Sequence, residues 1–202
     1  MRLWATWMLW SMEIKYEVKG LSNLDLESQY VFMSNHESAV DILIGIKCLP
    51  YNLVFLAKRE LFVIPIFGWA LKASGMVKID RRNSDKAKSS VDRAINVFMG
   101  SKFSTLLYPE GTRSQTGNIL PFKKGGFILA IRSKLPIVPL TIIGASSILP
   151  SKSFKLAKGK VKLIIDKPII THEMKEKNKN DLVDHCRKII IDNKNEHEDK
   201  FC

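Results

Sequence analysis

The chain has 202 residues, 46% hydrophobic and 26% charged, which suits one sizeable core and argues against a disordered polymer. Its 32 Lys and Arg against 20 Asp and Glu give a net charge of +12, a surface that attracts nucleic acid, an acidic leaflet, an acidic carrier protein or a phosphorylated small molecule. The cysteines, Cys48, Cys186 and Cys202, are too widely spaced for a disulfide framework or a zinc site, and they fit a reducing compartment.

Residues 1–12, MRLWATWMLWSM, place Trp4, Trp7 and Trp10 within an arc of about 120° at helical pitch, while Leu3, Met8 and Leu9 fill other faces. Such a helix reaches only about 18 Å, against a hydrocarbon core of about 30 Å. No run of about 20 apolar residues occurs in the chain. Tryptophan favours the headgroup level, so 1–12 is predicted to be an interfacial helix, with packing onto the domain as the competing reading.

Strand-like and helix-like segments then alternate. Ile14–Val18 and Tyr30–Met33 read as strands, Ser38–Leu49 as a helix and Leu53–Leu56 as a strand. Leu61–Lys72 is apolar and interrupted by Pro65, which predicts two short helices, either lining an apolar groove, dipping into a bilayer or belonging to the core. A strand over Met76–Ile79 precedes a helix over Asp85–Met99, capped by Ser84 and stopped by Gly100. Thr105–Tyr108 is a strand, Gly126–Arg132 a helix, and Ile137–Thr141 and Val161–Ile165 are strands. Asp181–Asp192 carries Leu182, Val183, Cys186, Ile189 and Ile190 on one side and closes a single domain over 13–192. Residues 193–202 read as a polar tail. The alternation predicts an α/β fold with a mixed, mainly parallel central sheet flanked by helices.

Two loops carry candidate chemistry. Ser34-Asn35-His36-Glu37-Ser38-Ala39-Val40-Asp41 leaves a strand and opens a helix. On one uninterrupted helix, residues five apart differ by roughly 140° and would not meet. With His36 in the loop, Asp41 falls in the first turn and reaches back to one imidazole nitrogen, leaving the other as a base. Taken alone, His-x4-Asp is short, and a capping histidine is its ordinary alternative. Tyr108-Pro109-Glu110-Gly111-Thr112-Arg113-Ser114 also leaves a strand, so both loops belong at one edge of a parallel sheet. Gly111 permits close backbone approach, Arg113 offers a planar fork for phosphate, and Thr112 adds a hydroxyl. Lys58 and Arg81 end two further strands at the same expected rim. Lys123-Lys124-Gly125-Gly126 lacks the P-loop pattern, His172, His185 and His197 lack metal spacing, and no nucleic-acid motif occurs. No metal and no nucleic acid are expected.

The combination resembles the glycerolipid acyltransferase family, most closely the bacterial-type 1-acyl-glycerol-3-phosphate acyltransferases. The resemblance runs from about Lys19 to Pro168. It rests on Asn35-His36-x-Ser38-x-x-Asp41, Ala57-Lys58-Arg59-Glu60-Leu61, Ile79-Asp80-Arg81, Pro109-Glu110-Gly111-Thr112-Arg113-Ser114 and Ile137-Val138-Pro139-Leu140, in the family's order. It implies that His36 and Asp41 form the catalytic pair, with His36 as general base for an incoming hydroxyl. It assigns Lys58, Arg81, Glu110, Gly111, Thr112 and Arg113 to the acceptor's glycerol phosphate, and Pro139 to the acyl-donor side. It also implies lysophosphatidic acid as acceptor, acyl-coenzyme A or acyl-acyl carrier protein as donor, and no bound cofactor. Backbone amides near the motif helix are the expected oxyanion donors. The expected setting is the cytoplasmic face of a membrane, peripheral or monotopic, against anionic lipid. Family members often carry a longer hydrophobic N-terminus. The rivals are the same chemistry on another lysolipid, or a non-catalytic basic protein that binds membranes or nucleic acid.

Overall fold

A computed structural model describes residues 1–65, 68–69, 76–79, 91–96, 98, 100–153 and 155–198. Seven strands form one sheet: β1 (Ile14–Lys19), β2 (Val31–Ser34), β3 (Leu53–Lys58), β4 (Val77–Ile79), β5 (Ser104–Leu107), β6 (Ile137–Ile143) and β7 (Gly159–Ile165), in the spatial order β1-β7-β6-β2-β5-β3-β4. Neighbours pair in parallel except at β6–β7. The sheet is therefore mixed and mainly parallel, as predicted. Every residue of β2, β5 and β6 is buried, as a sheet covered on both faces requires. Pro139, expected on the acyl-donor side, pairs with Met33 within β6, and its carbonyl accepts the Asp166 amide at 3.1 Å.

One face packs on α1 (Arg2–Ser11) and α2 (Val40–Cys48), burying Ala5, Leu9, Phe32, Ile44, Leu106 and Val138 in one cluster. The other packs on a helix over residues 91–96, here α3, on α4 (Gly125–Ser133) and on α6 (Lys179–Glu198). Phe98, Phe127, Leu182 and Cys186 lie in that second core. The short α5 (Ala145–Ile148) follows β6.

Several boundaries differ from expectation for physical reasons. The motif helix starts at Val40 and not at Ser38, because the amides of His36, Glu37 and Ser38 turn to carboxylates (see below). A 3-10 helix over Arg59–Val63 replaces the start of the first of the two helices predicted in Leu61–Lys72, much of which lies outside the described residues. Arg81 and the first half of the predicted Asp85–Met99 helix also lie outside them. α6 continues to Glu198, into the stretch read as a polar tail, and Lys194 within it is buried; residues 199–202 lie outside the described residues. Tertiary partners, not an apolar stripe, hold that last stretch.

The N-terminal segment is a helix that packs on the domain along one side. Ala5 and Leu9 pack inward against the α2 side, while Leu3, Trp4, Trp7 and Trp10 stay exposed, Trp10 at 75%. Val63, Ile64 and Trp69 are also exposed. Among the described residues no helix is long and apolar enough to cross a membrane.

Candidate active site

β2 and β5 are adjacent and parallel, with Met33 opposite Leu107, so the loops that leave them emerge side by side. β3 and β4 are parallel to β5 and end at the same edge, which brings the backbone of Lys58 to that rim. This is the carboxyl edge where open α/β sheets bind ligands.

His36 Nδ1 lies 2.8 Å from Asp41 Oδ2. The same oxygen accepts the amides of Glu37 and Ser38, each at 2.8 Å. Asp41, in the first turn of α2, thus ties down the loop that enters its own helix, at a position where a negative charge also suits the helix dipole. A carboxylate that already accepts two N–H groups requires a donor from the imidazole. The neutral ring therefore carries its proton on Nδ1, and Nε2 keeps a free lone pair. Asp41 is 1% exposed and His36 15%, so the imidazole is reachable and its carboxylate partner is not.

Tyr108 stacks on His36, with ring centroids 4.0 Å apart and planes inclined by 20°. Burial, reinforced by the nearby Asp41 charge, pushes the phenol well above its ordinary value of 10.0 and keeps it protonated. The ring forms a floor that fixes the imidazole plane.

Glu110, which the resemblance assigns to the acceptor's phosphate, is held by backbone amides. Its Oε1 accepts the His36 amide and its Oε2 the Leu120 amide, both at 2.8 Å. Ser114 N donates to the His36 carbonyl at 2.8 Å. The two loops are therefore stitched through the backbone of His36. Burial raises the Glu110 carboxyl above 4.5, opposed by the two amide bonds. The amides of His36, Glu37 and Ser38 are all spent on carboxylates, which removes them from the set of oxyanion donors anticipated near the motif helix.

Gly111 has φ 74°, and a Cβ there would lie 2.7 Å from Lys123 Nζ. The Lys123 stem thus crosses the glycine and brings an ammonium to this loop, although its sequence suggested only a rejected P-loop. Thr112 is exposed and Arg113 half-buried, and among the described residues no side-chain bond ties the Arg113 guanidinium. Lys58 and Arg81 cannot be compared, because the Lys58 side chain and all of Arg81 lie outside the described residues.

Further polar residues support the first loop. Asn35 donates to the Ile142 carbonyl and accepts the Ile142 amide, each at 2.8 Å, continuing the sheet through a side chain. Ser38 Oγ donates to the Leu149 carbonyl at 2.8 Å. Glu37 is buried and pairs with Lys194 of α6. Among the described residues no group of His, Cys, Asp and Glu could hold a metal ion.

Comparison with known proteins fits this geometry. The acyltransferase family model matches residues 15–143. The chain is 35% identical over 170 residues to the chloroplastic 1-acyl-sn-glycerol-3-phosphate acyltransferase BAT2 of Brassica napus, covering 83% of this chain and 48% of that protein. It is 30% identical to the human 1-acyl-sn-glycerol-3-phosphate acyltransferase alpha, covering 88% of this chain and 63% of the relative. The chain thus spans about half to under two thirds of these relatives' lengths. Its fold superposes on the crystal structure of the 1-acyl-sn-glycerophosphate acyltransferase PlsC from Thermotoga maritima with a TM-score of 0.81, at 23% identity, covering 94% of this chain and 74% of that one.

Proposed function

Since the chain belongs to the acyltransferase family, we propose that it transfers an acyl chain from a thioester to the sn-2 hydroxyl of 1-acyl-glycerol-3-phosphate, giving phosphatidic acid. The observation that carries this reading is the free Nε2 of His36, held by Asp41 at the rim where the Gly111–Arg113 loop also opens.

In this reading Nε2 takes the proton of the acceptor hydroxyl as its oxygen attacks the thioester carbonyl. The resulting imidazolium is stabilised by Asp41. Collapse of the tetrahedral intermediate breaks the carbon–sulfur bond, and the same Nε2 returns the proton to the departing thiolate. Transfer is direct, through a ternary complex. Arg113, Thr112 and the Gly111 backbone, with Lys58 and Arg81 from the neighbouring strands, anchor the acceptor phosphate and convert attack into an oriented step. Glu110, negative and engaged by two amides, serves better as the scaffold of His36 than as a phosphate contact. The donor is acyl-coenzyme A or acyl-acyl carrier protein. The exposed Trp4, Trp7 and Trp10 support a peripheral or monotopic position on a membrane, and the +12 net charge suits an anionic one; the cytoplasmic face completes this reading.

The test supplies the purified chain with lysophosphatidic acid and each donor in turn and identifies the product by mass. Folded His36→Ala and Asp41→Asn should fall by about a hundred- to ten-thousandfold in kcat. Wild-type rates in either variant would overturn the assignment, and a burst of acyl-enzyme would overturn direct transfer.

A further inference from the structure

Lys194 stands in a polar stretch of α6, far in sequence from both site loops, yet its side chain is 6% exposed. Among the described residues it is the one buried lysine or arginine. Nζ donates to Glu37 Oε1, in the loop that carries His36, and to the Gly117 carbonyl, in the loop that follows Arg113. Glu37 is itself locked on two other sides. Its amide donates to Asp41 Oδ2 at 2.8 Å, and its Oε1 accepts from Asn35 Nδ2 at 3.3 Å. One ammonium therefore joins the two loops from below, while Glu110 joins them at the His36 amide.

The charge pattern gives this contact a second consequence. Glu37, Asp41 and Glu110 are three buried carboxylates within one loop cluster. Left unbalanced, they would repel an anionic acceptor at low dielectric. A buried pair such as Glu37–Lys194 is weak evidence for added stability, because desolvation offsets most of the attraction. It does fix geometry, since one ammonium bonded to both Glu37 and the Gly117 carbonyl ties the two loops at a set distance.

We propose that Lys194 is a positioning residue of the acyl-transfer site: acting through Glu37 and Gly117, it sets the separation of the His36–Asp41 loop from the phosphate-binding loop and offsets the buried negative charge beneath them. The inference rests on the acyltransferase reading above. It makes the last turns of α6 part of the site.

The test uses the full chain with lysophosphatidic acid and acyl-coenzyme A. Two variants are compared with the parent: Lys194→Arg, which keeps the charge, and the double variant Lys194→Met/Glu37→Met, which replaces the pair by apolar groups of similar length. The double variant should unfold cooperatively in urea. Its kcat should drop by about ten- to a hundredfold, with KM for the acyl donor within about twofold of the parent and KM for the anionic acceptor raised. Lys194→Arg should recover to within about threefold of the parent kcat, because charge and donors return. A folded double variant with parental kcat and acceptor KM would overturn the proposal, as would an arginine variant as slow as the double. A double variant that does not fold would also overturn it, by making the pair structural. A parent with no transferase activity would instead remove the acyltransferase reading itself.

Discussion

Asp41 Oδ2 receives an imidazole N–H and two backbone amides, all at 2.8 Å, so one atom fixes a tautomer, a ring position and a helix start together. Glu110 does the corresponding work from the neighbouring loop, with both oxygens on amides. Glu110→Ala strands these two donors. It should cost on the order of 1–3 kcal/mol in urea unfolding and lower kcat by displacing His36. A variant with parental stability and kcat would remove Glu110 from the scaffold. The charge of Glu110 has its own pH signature. Burial raises its folded-state carboxyl above 4.5, so the folded protein holds that proton more tightly than the unfolded chain. The associated stabilisation is fully present below about 4.5 and is lost as pH rises through the raised folded value. Glu110→Gln cannot titrate, so its unfolding free energy should decline less steeply than the parent's above pH 4.5. Parallel slopes would contradict the raised value. At this scale the sequence was partly legible. His36 and Asp41 could be paired because a strand–loop–helix setting brings residues five apart together. Lys194 could not be found, because the apolar spacing of α6 stops at Ile190 and a lone lysine among polar residues carries no motif. The role of Glu110 was also hidden, since its partners are backbone amides, which no residue pattern records.

Each site loop is aimed by the element that precedes or follows it. α2 lies close to β5: a Cβ on Gly45 would sit 2.3 Å from Leu106 Cδ2, in the buried core. Helix propensity alone favours alanine over glycine by roughly 0.5–1 kcal/mol. Here crowding should win, and Gly45→Ala should destabilise by about 1–3 kcal/mol in urea. A stabilised variant would mean that Leu106 can yield. The strands, the order of elements and the parallel core were legible because β2 and β6 are nearly continuous apolar runs and β5 carries Thr105, Leu106 and Leu107 ahead of a turn-rich loop. The precise start of α2 was not, because the Ser38 amide turns back to the Asp41 carboxylate while the Ser38 hydroxyl donates to the Leu149 carbonyl and accepts the Val40 amide, so the helix begins two residues later than Ser38. Pro139 was predicted within a strand, and β6 tolerates it in the sheet interior.

For the molecule as a whole, the sheet separates two tasks. Its carboxyl edge presents the proposed site, while α1 turns Ala5 and Leu9 toward α2 and leaves Trp4, Trp7 and Trp10 outside. Replacing all three tryptophans with serine should weaken binding to anionic vesicles by about a hundredfold or more in co-sedimentation, with the fold unchanged by circular dichroism. Unaltered vesicle binding would reassign the aromatic face. Because α1 packs directly on α2, whose first turn holds Asp41, the proposed anchor and the proposed base share one rigid unit. A catalyst held in this way searches for its acceptor in two dimensions. Its velocity should follow the mole fraction of lysolipid in the surface and fall when inert lipid dilutes that surface, even while the bulk concentration of substrate stays constant.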